Sequence, residues 1–152
     1  MLEVNTWGMV FYASELYDKN DHYTGMHVYK FLGELLVFLE YAGQVLGDVG
    51  YVGPLRLEMR LESLLDARWV YAESGFLTNG SASELDDNVT FFLETTTQAL
   101  TSKRDALVID LARYSFFATD WSEMATSHMS IERLVRTGYE YNSWAKPSQL
   151  RL

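Results

Sequence analysis

The sequence predicts an α+β fold: a mostly antiparallel sheet of about four strands, a long helix and a second helix packed on one face, and a short C-terminal helix. Three observations predict it. Strand-like stretches alternate apolar and polar residues, which is typical of a sheet with one solvated face. Two longer stretches repeat apolar residues every three or four positions, as amphipathic helices do. The strand-like stretches also follow one another in hairpin order, which favours antiparallel pairing.

The first strand is predicted at residues 6–13, TWGMVFYA, because β-branched and aromatic residues dominate there. A long helix is predicted next, from about Asp21, a candidate N-cap, to Leu46. Glycines 47, 50 and 53 then end it and turn the chain. Its main apolar face consists of Val28, Leu32, Leu35, Leu39, Ala42 and Leu46.

Residues 53–65, GPLRLEMRLESLL, could form a strand or a helix. A helix would stack Arg56 on Arg60 and Glu58 on Glu62, and like charges four residues apart repel. A strand would place these charges on one face with alternating sign and the apolar residues on the other. The strand is therefore favoured, and residues 66–67 are predicted to turn it into a hairpin partner at residues 68–72.

Residues 73–87 are small and polar and predict a loop. A strand over residues 88–97 follows, with Phe92 on its polar face. The second helix is predicted to open with a capping box from Ser102 to Asp105. Its apolar stripe is predicted to comprise Leu107, Leu111, Tyr114, Ala118 and Trp121. A short helix is expected at residues 130–137, ended by Gly138.

Composition indicates one domain over residues 1–152, with a tail at 139–152 that is expected to fray. Of all residues, 48% are apolar and 22% charged, which allows a core of ordinary size. There is no cysteine, which excludes disulfides and thiol chemistry and fits a cytoplasmic location. The apolar stretch at 31–43 carries two acids and is shorter than the about 20 residues of a membrane span.

Both predicted helices carry apolar residues outside their main stripes, which indicates burial on several sides. Either the helices cover each other or a second subunit covers them, and we expect a homodimer through the helix surfaces. The extra residues are Phe31, Val37, Phe38, Tyr41 and Val45 in the first helix, and Ile109, Phe116 and Phe117 in the second.

No convergent catalytic or metal motif is found, and no cofactor or metal is predicted. His22 and His27 are five residues apart, whereas helical metal pairs are three or four apart. His128 has serines and acids nearby but no G-x-S-x-G elbow. The glycines of residues 47–53 lack the Walker lysine and fit a turn better than a phosphate loop.

Four residues are candidate ligand contacts. Arg56 and Arg60 on one strand face could hold an anion, although a ladder of neutralised charges is the alternative. Trp69 and Tyr71 could line a pocket for a flat small molecule, although core packing is the alternative. The net charge of −9 opposes binding of nucleic acid by this domain alone.

The stretch GMHVYKFLGELLVFLEYAGQVLGDVGYVGPLRLEMRLESLL carries a resemblance over roughly residues 26–72. A long helix, then Gly-Tyr-x-Gly-Pro-Leu and an alternating strand, resembles the region that follows the AlbA-type (Schlafen-like) DNA-binding domain of some bacterial proteins. The resemblance implies a C-terminal companion domain of a larger regulatory protein. It supplies no functional residues, and the AlbA-type domain itself is not in this sequence.

The sequence thus predicts a non-enzymatic binding, assembly or regulatory domain whose ligand or partner is not identified. Two alternatives stay open. One is a small hydrolase or metal-dependent enzyme that uses His22, His27 or His128 with nearby acids. The other is a companion domain of a DNA-associated regulator. No membrane association is expected.

Overall fold

The computed structural model describes residues 2–4, 8–19, 24–65, 68–73, 76–79, 88–119 and 131–134. Its elements in chain order are β1 (Leu2–Val4), β2 (Val10–Tyr12), β3 (Tyr17–Lys19), β4 (Thr24–His27), α1 (Val28–Asp48), β5 (Pro54–Glu62), β6 (Arg68–Glu73), β7 (Phe76–Asn79), β8 (Asn88–Thr96), α2 (Thr97–Ser102) and α3 (Arg104–Ala118). Residues 131–134 are also helical, which agrees with the predicted C-terminal helix where it can be compared. This mixture of helices and strands is consistent with the α+β prediction.

The described strands form three separate sheets, whereas the sequence predicted a single sheet. β1 pairs with β2, and β5 pairs with β8, both antiparallel. The third sheet has four strands in the order β3-β4-β6-β7, and its β4–β6 pair is parallel. A parallel neighbour requires a crossover, and α1, β5 and the chain between them make that crossover from β4 to β6.

The predicted hairpin over residues 55–72 is wrong, because β5 pairs with β8 and not with β6. Two features explain why the chain does not turn back tightly after β5. Ser63 has a left-handed backbone with φ of 59°, and Leu64 is completely buried. The chain therefore enters the core at this point, which separates β6 from β5. The predicted loop at 73–87 is also wrong in part, since β7 lies within it.

The alternation predicted for residues 55–62 is confirmed. Leu57 and Leu61 are buried, while the charged residues of β5 are exposed. β8 alternates in the same way, and its Phe92 is 52% exposed. The β5–β8 ladder therefore has an apolar inner face, turned toward α3, and a polar outer face.

The long helix α1 begins at Val28, later than predicted, because residues 24–27 form the strand β4. The proposed N-cap, Asp21, lies outside the described residues. The turn after the helix uses Gly50, whose φ of +71° favours glycine. The predicted apolar face is confirmed, since every one of its six residues is buried.

The segment after β8 departs from the prediction. Residues 97–102 form a separate short helix, α2, because the Thr96 hydroxyl accepts a hydrogen bond of 3.2 Å from the Ala99 N–H and caps it. The predicted capping box is wrong: Ser102 ends α2, and its hydroxyl donates to the Gln98 carbonyl at 2.9 Å. α3 starts after Lys103 with no side-chain cap.

The predicted stripe of α3 is only partly confirmed. Leu107 and Leu111 are buried, but Tyr114 is 52% exposed, and Trp121 lies outside the described residues. Tyr114 instead stacks on Phe91 of β8 at 6.1 Å between ring centroids. The buried face is rotated away from it and comprises Leu107, Val108, Leu111, Ala112, Ser115 and Phe116.

The core of the described residues surrounds α1. The rings of Phe31, Trp69 and Phe116 form an aromatic cluster in which Trp69 lies 5.0 Å from each of the other two centroids. All three side chains are almost completely buried. Much of the apolar surface that suggested a helix-mediated dimer is thus covered by the chain itself, although Phe117 remains 73% exposed. None of the described helices has the length and apolar character needed to cross a membrane.

Candidate functional site

The outer face of the β5–β8 ladder is the candidate interaction surface, and we call it the ribbon face. Both strands have nine residues, which corresponds to a length of about 30 Å. The register places Arg56 opposite Glu94, Glu58 opposite Phe92 and Arg60 opposite Thr90. The ribbon face consists of Arg56, Glu58, Arg60 and Glu62 from β5, and Asn88, Thr90, Phe92 and Glu94 from β8.

One end of the ribbon face is organised by a cation–π contact. The Arg56 guanidinium carbon lies 3.8 Å from the centroid of the Phe92 ring. Such a contact contributes about 0.5–1 kcal/mol at an exposed site. It directs Arg56 toward β8 and covers part of an aromatic ring that would otherwise be open to water.

The other charges of β5 differ in their pairing. Arg60 Nε lies 2.9 Å from a carboxylate oxygen of Glu62, with both side chains 59% exposed, so the pair contributes little to stability. Glu58 makes no ion pair with any residue in the part of the chain that the structure describes. Among those residues, its carboxylate therefore has no compensating cation.

The backbone of β5 also presents polar groups to the outside. The Thr97 N–H donates to the Gly53 carbonyl at 3.4 Å, so residues 53 and 97 form a hydrogen-bonded pair that continues the register. In an antiparallel ladder such pairs alternate with non-hydrogen-bonded ones. The odd-numbered residues of β5 therefore bond to β8, while the N–H and C=O groups of Arg56, Glu58 and Arg60 point away from it.

This outward edge has no strand on it among the described residues, where β5 pairs with β8 alone. Pro54 lies at its start and has no N–H, and its carbonyl accepts a 2.7 Å hydrogen bond from the Tyr51 hydroxyl. An edge of this length is a template for a further strand. The outward N–H and C=O groups of β5 are therefore directed so that they could hydrogen-bond a further strand.

The structure separates the four predicted ligand contacts. Arg56 and Arg60 lie on the ribbon face, whereas Trp69 and Tyr71 lie on β6, in a different sheet. Trp69 is fully buried, and its indole N–H donates to the Thr119 hydroxyl at 2.6 Å, so a ligand would reach this ring only if the core opened. The side chain of Tyr71 lies outside the described part. A ligand role for these residues stays a prediction.

A half-buried carboxylate on α1 was missed as a site by the sequence reasoning. Glu34 accepts hydrogen bonds from the Tyr12 hydroxyl and, at 3.1 Å, from the Ser14 hydroxyl. Burial raises the pKa of Glu34 above its ordinary value. The signal was present, since Glu34 interrupts an apolar run. The three side chains attach α1 to β2 and the segment after it.

The histidines do not form a site in the described residues. His27 is half-buried at the end of β4, with its ring centroid 6.2 Å from that of Tyr29. His22 and His128 lie outside the described part. Among the described residues, no group of three or more histidines and acids is arranged to hold a metal ion.

Comparison with known proteins finds no matching family model, no matching curated protein and no matching solved structure. The resemblance of residues 26–72 to the region beside AlbA-type domains therefore stays a prediction.

Proposed function

We propose that this chain is a non-enzymatic assembly domain that associates with further copies of itself. The observation that carries the proposal is the open edge of β5, a nine-residue strand whose outward backbone groups meet no strand in the described part. An open edge of this kind recruits an extended strand through main-chain hydrogen bonds.

The surface proposed for assembly differs from the one that the apolar helices first suggested. Phe31 and Phe116 pack inside the chain, so they offer no contact to a second subunit. Phe117 on α3 is the large apolar residue of that set that stays mostly exposed. A helix-mediated dimer would depend on it, whereas an edge-mediated dimer would not.

Sedimentation velocity over a series of micromolar concentrations tests the proposal. We expect a species of twice the 17.5 kDa chain mass, in an equilibrium that shifts with concentration. The Phe117→Ala variant is the matched control and should associate as strongly as the parent. A monomer at every concentration contradicts the assembly function. Loss of the dimer in Phe117→Ala would instead place the interface on the helices.

The hydrolase and DNA-associated alternatives stay predictions. The hydrolase would use His22, His27 or His128, and of these His22 and His128 lie outside the described residues. The DNA-associated role would belong to another domain, because the net charge of −9 opposes contact with phosphates.

A further inference from the structure

We propose that the partner on the β5 edge is the β5 strand of a second copy, paired antiparallel about Met59. This inference rests on the proposed assembly function and adds to it the strand, its direction and its register. Two ladders would join edge to edge into one four-stranded sheet with the order β8-β5-β5-β8.

The backbone is compatible with this pairing. The outward N–H and C=O groups belong to even-numbered residues of β5, as the bond between residues 53 and 97 establishes. A two-fold axis at Met59 places Glu58 of one copy opposite Arg60 of the other, and both numbers are even. These residues therefore form the hydrogen-bonded pairs of the new ladder, and Met59 faces its own copy in a non-hydrogen-bonded pair.

The side chains are complementary in the same register. Arg56 would face Glu62 and Glu58 would face Arg60, so each basic residue of one strand meets an acid of the other. On the inner face Leu57 would meet Leu61. Opposite charges directly across an antiparallel pair are favourable, and Glu58, which has no ion pair in the described part of the chain, would gain one.

Neighbouring registers lose this complementarity. An axis at Glu58 places Glu58 opposite its own copy and Arg56 opposite Arg60, so like charges face each other. An axis at Arg60 also pairs like charges, because Arg60 then faces its own copy and Glu58 faces Glu62. A register that pairs even with odd residues places charged residues opposite apolar ones, since neighbouring residues lie on different faces. An axis at Leu57 keeps the pairing of Arg56 with Glu58 but sets Arg60 against Pro54 and leaves Glu62 without an opposite residue in β5. The register about Met59 is therefore the one of long overlap that pairs all four charged residues of β5.

The outer edge of β8 does not share this property. Its outward residues include one charge, Glu94, and a self-paired β8 would match threonines and Phe92 without charge complementarity. Charges of this exposed kind add little affinity but select partner and register strongly. The self-complementary charges of β5 therefore favour pairing of β5 with β5 over pairing of β8 with β8.

Charge exchange tests the register. Arg60→Glu gives a strand with acids at both central positions, and Glu58→Arg gives a strand with bases at both. Each variant alone should dimerise about tenfold more weakly, because like charges then face each other twice across the two-fold axis. Mixed in equal amounts, the two variants should form a heterodimer, and the double variant Glu58→Arg/Arg60→Glu should dimerise like the parent.

Matched controls change the same charge far from β5: Arg113→Glu on α3 and Glu132→Arg in the helical residues 131–134, both exposed. These should dimerise like the parent, and circular dichroism should show native structure in every variant. If one single variant fails to fold, the other single variant is compared with the double variant: the proposed register predicts weaker dimerisation in the single variant and parent-like dimerisation in the double variant, and equal dimerisation in both overturns it. A dimeric parent whose charge exchanges have no effect, or whose mixture does not recover, overturns the register and leaves the assembly function standing. A monomeric parent overturns both.

Discussion

At the scale of single residues, Trp69 shows how a polar atom is kept inside an apolar core. Its ring packs between Phe31 and Phe116, and its N–H donates to the Thr119 hydroxyl at 2.6 Å. That hydroxyl in turn donates to the Ser115 carbonyl at 2.6 Å. Core packing of Trp69 was one of the two alternatives that its aromatic character left open, but its partner could not be foreseen, since Thr119 is fifty residues away.

Thr119→Val tests this hydrogen bond. The substitution removes the hydroxyl that accepts from the buried indole N–H, and we expect it to lower the free energy of unfolding by about 1–3 kcal/mol in urea titrations. Thr119→Ser retains the hydroxyl and should cost less. In a Trp69→Phe background, which has no indole N–H, the cost of Thr119→Val should shrink. An equal cost in both backgrounds would show that the bond contributes nothing.

At the scale of elements, periodicity predicted the strands β5 and β8 and the apolar face of α1 correctly. These predictions are correct because one face of each element is buried or half-buried along its length, so the hydrophobic period and burial coincide. The strand to which β5 pairs could not be predicted from hydrophobic periodicity. The partner of β5 lies beyond β6 and β7 in the chain, and the turn at Ser63 that excludes the nearer hairpin depends on burial of Leu64.

The contact between α1 and β2 gives a pH-dependent prediction. Burial raises the pKa of Glu34 above its ordinary 4.5, so the folded chain holds the Glu34 proton more tightly than the unfolded chain. The stability from this group is fully present below pH 4.5 and is lost as the pH rises through the folded-state pKa. The Glu34→Gln variant has no titratable carboxyl at this position, so its stability lacks this dependence on pH.

Urea titrations at several pH values would therefore show the variant gaining stability relative to the parent as the pH rises through that window, then a constant difference above it. A difference that moves in favour of the parent over the same window would contradict the assigned direction of the shift.

At the scale of the whole molecule, the sequence alone predicted only part of the ribbon face. Its alternating charges selected strand over helix and identified Arg56 and Arg60 as exposed. The cation–π contact with Phe92 and the outward backbone edge required the pairing with β8. The expected homodimer through helix surfaces was inferred from apolar residues that the chain largely buries itself, so the proposed interface moves to β5.

A single introduced cysteine tests the β5–β5 pairing most directly, because the chain has no cysteine of its own. In the proposed register two copies of Met59 face each other with Cα atoms about 4.5 Å apart, which lies within disulfide range. Met59→Cys should therefore oxidise to a covalent dimer on a nonreducing gel.

Leu55 is half-buried on the same face of β5, but the proposed axis places its two copies far apart, so Leu55→Cys should form no disulfide and should run as a monomer on the same nonreducing gel. Rapid cross-linking at position 59 and none at position 55 is the predicted result. Equal cross-linking at the two positions, or none at either in a chain that sediments as a dimer, would contradict the pairing of β5 with its own copy.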